Sequence, residues 1–399
     1  MRSHLIHTTI LLLAVGLVIG SVHAQADLSS QVESLRQEVD SYRPGKSRFL
    51  LRGYAHAGIE YHEADDELSF VGGAFNPLFI YRQSDRLIFE GELEFGFEDG
   101  ELEIGLEYAN ISYLLTDRLT VRLGKLFVPF GIFTQNLHPA WINKFPNFPL
   151  GYGHDGVLPG TDLGIELRGG AYLGNLKYNY SFYTINGPQL DVGEDHEDDI
   201  GKLIYDRVDD NNKNKAVGGR IGIFPFHDSS LELGFSGLFG KVGGDEGDFN
   251  DVRANFFALD LNYVKSIPAL KSVVDFKVQA NFIHVDRATY ENSEDPAETF
   301  SFNNESNAYF VQGSIRPSFV SNNFIRNLEL AVRYSDMETP EGALWGNSAD
   351  QWDIGLNYWL DWRTVFKVTF RKGGEGAEES EEKHESFGNA FFFHWAIGF

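Results

Sequence analysis

Six glutamates, Glu90, Glu92, Glu94, Glu101, Glu103 and Glu107, fall at near-alternate positions across two neighbouring segments. Spacing by two places side chains on one face of a β-strand. Arg48, Arg52, Arg122, Arg168, Arg220, Arg316, Arg333, Lys367 and Arg371 occupy the polar face of other segments with the same spacing. Carboxylates on one wall and cations on another would act on a solute through their field, orienting polar molecules and penalising apolar ones. The same residues could instead pair between adjacent strands and brace the wall. Alternation alone does not apportion the two.

Bond-making chemistry is poorly represented. Gly151 to Gly156 matches a dinucleotide-loop pattern, yet the surrounding stretch is proline-rich and no helix is expected after it. Asp210, Asn212 and Asn214 begin like a calcium loop, but Lys215 stands where glycine is needed and Ile221 where the closing glutamate should be. No nucleophile elbow or zincin helix occurs. The histidines are scattered through the sequence, and there is no cysteine. The expectation is a chain with no catalytic centre, no resident metal and no cofactor.

The elements that must carry these charges are strands. Leu87, Phe89, Leu93, Phe95 and Phe97 alternate with the first glutamates, and Leu102, Ile104, Leu106 and Tyr108 with the second. The dyad recurs along most of the chain, about sixteen times. A soluble sandwich alternates too, burying its apolar face. A transmembrane barrel turns that face to lipid and the polar face to water. Connection lengths favour the barrel. Short turns such as Gln83-Ser84-Asp85, Thr116-Asp117 and Leu173-Gly174-Asn175 alternate with long polar stretches such as 187–214 and 287–304. The fold class predicted is all-β, a transmembrane antiparallel β-barrel of about 16 strands over 46–399. Such a barrel is too wide for side chains to fill.

The C-terminus supports this reading. Phe391, Phe393, Trp395, Ile397 and Phe399 alternate with Phe392, His394, Ala396 and Gly398, ending on an aromatic residue. This is similar to the terminal strand by which barrel assembly machinery recognises its clients. In a soluble protein it would be an exposed edge prone to aggregation.

Residues 128–160 form the longest connection and the most aromatic, with Trp141, Phe145, Phe148 and Tyr152 and five prolines. Rings on a free loop would face water. The economical expectation is a stiff segment folded inward, narrowing the channel. Packing over the barrel mouth or against a neighbouring subunit would also shelter the rings.

At the N-terminus, Arg2, the apolar run Ile10–Ile19 and Val22-His23-Ala24 have the layout of a secretory signal peptide cleaved after Ala24. The apolar run is short of the roughly 20 residues a spanning helix needs. Leu28, Val32, Leu35 and Val39 then form an a/d seam within 25–45, predicting a short periplasmic coiled-coil helix that brings copies together. A net charge of −25 argues against nucleic acid as a partner. The acid lies largely in runs such as Asp191–Asp210 and Glu375–Glu385, read as solvated loops or as sites where divalent cations bridge to lipid headgroups.

Two of these stretches carry a family resemblance. Glu92 to Tyr113, followed by Arg118 to Phe133 with its Gly124-Lys125-x-x-x-Pro129-Phe130-Gly131 run, resembles the phosphate-selective porin O and P family of bacterial outer-membrane porins. The resemblance implies a homotrimeric porin of the Gram-negative cell outer membrane, sixteen-stranded, with its third external loop as the constriction. Phosphate-specific members carry an arginine ladder and loop lysines; here inward cations are present but the external connections are acidic. The function expected is ion transport and passive diffusion of small hydrophilic solutes through a channel, anions such as phosphate among them. The alternative is a barrel with a non-channel role, as enzyme, adhesin or ligand-specific uptake protein. That would need a nucleophile–base set or a plug domain, and the sequence presents neither.

Overall fold

The computed structural model describes residues 48–64, 66–98, 101–153, 156–193, 197–207, 209–291, 299–346, 348–374 and 388–399. The predicted signal peptide, the seam of Leu28, Val32, Leu35 and Val39, and the acidic run Glu375–Glu385 lie outside the described residues.

Sixteen strands follow one another: β1 (Phe49–His62), β2 (Glu67–Arg82), β3 (Leu87–Glu98), β4 (Glu101–Thr116), β5 (Leu119–Phe127), β6 (Thr161–Leu173), β7 (Leu176–Ile185) and β8 (Ala216–Phe224), then β9 (Leu231–Lys241), β10 (Arg253–Ile267), β11 (Ser272–Val285), β12 (Asn304–Arg316), β13 (Leu328–Glu338), β14 (Ala349–Trp359), β15 (Thr364–Gly373) and β16 (Ala390–Gly398). Each is a neighbour of the next, and the sheet closes as an antiparallel barrel. β1 meets β16 from Tyr54↔Gly398 to His62↔Ala390. Gly53 and the terminal Phe399 extend that seam with two backbone hydrogen bonds, 2.9 and 3.2 Å. Closure leaves the sheet no open edge, which a hydrocarbon surround demands. This is the architecture the alternation predicts.

The period of two sorts side chains as a lipid-facing wall requires. On β16, Phe393 and Trp395 are 40% and 49% exposed, whereas Phe392 and Ala396 are 0% and 2% exposed. Phe257 of β10 lies 6.4 Å and 5.3 Å from Phe235 and Phe239 of β9, one patch of the outward aromatic surface. Among the described residues no helix is long and apolar enough to cross a membrane.

Most short turns fall where the sequence places them. Between β10 and β11, Pro268–Leu270 makes one 3₁₀ turn, closed by Lys271 at φ 48°. The alternation also fails on β4. Glu92 faces Tyr108 but Leu93 faces Leu106, so Glu107 is the extra, bulged residue there. An extra residue reverses the faces beyond it. Tyr108 therefore turns inward and is buried, while Leu106, Ile104 and Leu102 stay outward and exposed. On the outward face, Lys125 of β5 donates to the Leu106 carbonyl at 2.7 Å, beside the bulge.

The apolar core lies inside the barrel. Phe130, Ile132, Phe133 and Leu150 of 128–160 pack with Leu190 and Leu203 of the next long connection, and with inward Leu238, Phe256 and Phe310 of β9, β10 and β12. Each such side chain contributes about 1.5–3 kcal/mol by leaving water. Part of the lumen is thus filled by its own connections.

Candidate functional site

The segment 128–160 enters the barrel through specific tethers. Gly131 has φ +67°, and a Cβ there would lie 2.0 Å from the Gln279 amide, so glycine is required by conformation and by space. Its N–H donates to Ser236 Oγ at 3.0 Å, and the next two amides, of Ile132 and Phe133, donate to Gln279 Oε1 at 2.8 and 3.1 Å. Gln279 in turn donates to Asn281, whose amide donates to the Tyr152 hydroxyl at 2.7 Å. Ser236, Gln279 and Asn281 are buried inward residues of β9 and β11. Burial drives the Tyr152 hydroxyl well above the ordinary tyrosine range, so it stays protonated.

The segment then crosses to β13–β16. Lys367 of β15 donates to the carbonyls of Ala140, Asn143 and Phe145 at 2.5, 2.7 and 3.2 Å. Asn357 donates to Lys144 O, and the Lys144 ammonium lies 2.7 Å from Glu329. Arg333, with no exposed surface, donates to Asn147 O and Phe148 O and lies 4.5 Å from the Phe145 ring. Trp141 meets Trp362 edge-on at 6.3 Å beside Gly398, and Phe148 meets Phe133 at 5.3 Å. Charged donors on backbone carbonyls are strong tethers in a site of low dielectric. Gly151 turns at φ +80° against Ala308 and Met337, Gly153 lies against Phe148, and the next element is strand β6.

The inward charges are largely spent on each other. Arg122 reaches Glu166 at 3.0 Å and Glu90 at 3.1 Å. Arg220 reaches Asp260 at 2.6 Å and Glu232 at 3.0 Å. Arg333 and Arg371 share Asp353 at 2.7 and 3.2 Å. Arg168, half-exposed, lies 3.8 Å from Glu166. Arg316 caps Arg326 O and covers the Trp359 ring. Arg48 and Arg52 are exposed at the start of β1, and Glu103 is exposed on β4. Glu92 is buried 3.9 Å from His138 of the crossing segment, and Glu107 sits at the bulge beside Phe127 and Phe133. A paired charge projects little field beyond its partner, so the opposed walls expected from alternation are much attenuated.

Two open spaces flank the crossing segment. One, about 260 Å³, is lined by Glu166, Arg168, Asn179 and Arg220. The larger, about 500 Å³, lies between the turn at 146–153 and the wall formed by Tyr54, His56, Glu60 and His62 of β1, Asn76 of β2 and Glu94 of β3, with Met337, Gln351 and Arg371 beyond. Scattered in sequence, the histidines give no signal there. The closed barrel brings His56, His62 and His394 together at the seam of β1 and β16, and His138 of the crossing segment packs against Tyr54 of the same wall.

No protein-family model and no curated protein sequence matches the chain. Solved structures do match in fold. OmpF of Salmonella typhi, determined with daunomycin, aligns with a TM-score of 0.56 at 14% identity, covering 88% of this chain and 97% of its own. The outer membrane channel DcaP of Acinetobacter baumannii aligns at 0.55 and 14% identity, covering 88% and 97%. An anion-selective porin from Comamonas acidovorans aligns at 0.55 and 13% identity, covering 88% and 99%. The chain therefore shares the sixteen-stranded fold of outer-membrane channels.

Proposed function

We propose that the chain is a porin of the bacterial outer membrane, through which ions and small hydrophilic solutes diffuse past the segment 128–160. The observation that carries the reading is a closed sixteen-stranded barrel with apolar side chains outward, whose longest connection is anchored inside it beside an open space of about 500 Å³ lined in part by polar side chains. In this reading Trp141, Phe145, Phe148 and Tyr152 form the constriction. Arg52, Glu94, Glu103, Arg168 and Arg371 are the wall charges nearest moving ions, and the remaining inward Arg, Lys and Glu residues fix the wall. Export by a signal peptide cleaved after Ala24, recognition of the strand ending Phe399 by the assembly machinery, and trimers in outer-membrane lipid complete the proposal.

Phosphate as the preferred solute rests on the family resemblance alone. Arg122, Arg220, Arg333 and Arg371 are engaged by carboxylates, so the reading extends to small ions in general. Purified protein added to a planar bilayer should give stepwise, ohmic conductance increments. A correctly folded barrel that inserts and conducts nothing would remove the channel reading.

A further inference from the structure

We propose that an imidazole–carboxylate cluster on β1 and β16 sets which sign of ion the larger passage admits, with small cations favoured at neutral pH and small anions once the imidazoles are protonated. The proposal rests on the porin reading and names the solute class that this passage selects.

Glu60 stands between two imidazoles, with His394 Nε2 2.8 Å from Oε1 and His62 Nε2 3.3 Å from Oε2. His56 stacks on His394 at 6.1 Å and 17°. The register sets His394 opposite Gly58, where a Cβ would lie 2.3 Å from the imidazole. Glycine at 58 therefore makes room for the ring to lie along the wall. His56, Glu60 and His62 all line the passage.

The groups facing them from other elements do not supply a compensating free cation. Lys367, the register partner of His394, is directed at three carbonyls of the crossing segment. Arg371 lines the passage but is held by Asp353, which Arg333 shares. Glu94 of β3 lines the passage too, and Glu92 and His138 face each other at its edge, beside Tyr54. The lining residues carry two carboxylates, Glu60 and Glu94, against one guanidinium, Arg371. Their formal charge is −1 with the imidazoles neutral and +1 with His62 and His138 protonated.

Histidine is the side chain that changes charge between about pH 5 and 8. A change of two charges in a confined passage alters local ion concentrations severalfold.

The test uses the full-length porin in planar bilayers under a gradient of potassium chloride. The ratio of potassium to chloride permeability should exceed one near pH 8. It should fall about threefold or more by roughly pH 5.5. The swing should shrink in about 1 M salt, where screening is short-ranged. The variant His56→Gln, His62→Gln, His138→Gln, His394→Gln should keep its cation preference and lose the swing, while Glu60→Gln should lower the ratio near pH 8. Heat-dependent gel mobility confirms folding of each variant; if the fourfold variant fails to fold, His62→Gln alone should still reduce the swing. A ratio that stays flat with pH, or a swing that survives the histidine substitutions, overturns the proposal with the channel intact. A folded protein that conducts nothing overturns the porin reading, and this inference with it.

Discussion

Arg333 has no exposed surface, and its charge is answered by Asp353 on the adjacent strand and by two carbonyls of the crossing segment. Arg371 shares the same carboxylate, so one buried anion holds two buried cations. Removing one partner of a buried pair leaves the other uncompensated, at a cost of about 3–5 kcal/mol. Arg333→Met should therefore lower the urea midpoint of the barrel in lipid vesicles markedly. Asp353→Leu added to it should deepen the loss, because Arg371 is then left buried without its carboxylate. Equal midpoints for wild type and Arg333→Met would mean that water already solvates this site. Alternation alone places Arg333 and Asp353 on inward faces. Whether either meets solvent depends on the crossing segment above them, a contact between residues about 185 positions apart in sequence.

At the scale of elements, the segment 128–160 is held by hydrogen bonds to β9 and β11 on one side and to β13–β15 on the other. Deleting 138–152 should widen the narrowest section and raise single-channel conductance on the order of twofold, since conductance follows the tightest cross-section. The deletion strips Lys367 of its three carbonyls, so the variant should also carry Lys367→Met to avoid a buried, unpaired ammonium. Conductance unchanged from wild type would place the ion path elsewhere, beside Arg168 and Arg220. The strands themselves are legible in the sequence because one wall face is apolar and the period is two. Glu107 hid the exception, because a bulge shows only when the partner strand's register is known. The rings and prolines mark 128–160 as unusual, but its anchors Gln279, Asn281 and Lys367 read as ordinary polar wall positions. The histidine cluster was hidden differently. Closure brings the first and last strands together, yet only the register sets His394 opposite Gly58, between His56 and Glu60.

At the scale of the whole molecule, the barrel closes on itself without help from a second chain. β1 and β16 pair along their length, and Phe399 is bonded to Gly53 at the seam. A ladder with no open edge unfolds only when many wall bonds break together, so the folded form should survive cold detergent and shift on a gel only after boiling. Oligomerisation is a separate matter. The a/d spacing of Leu28, Val32, Leu35 and Val39 suits a helical seam about two heptads long, too short to be stable alone. Copies already held side by side in a membrane would raise its effective concentration and let it form. Deleting 25–43 should therefore weaken the trimer in mild detergent and leave the heat-dependent shift of the monomer band unchanged. Multi-angle light scattering gives the mass and the gel gives the fold, so the two effects are read independently. Trimer mass that persists after the deletion would put the association in the barrel wall, among the outward aromatics of neighbouring copies. Loss of the heat shift would instead make the segment a folding element of the barrel itself.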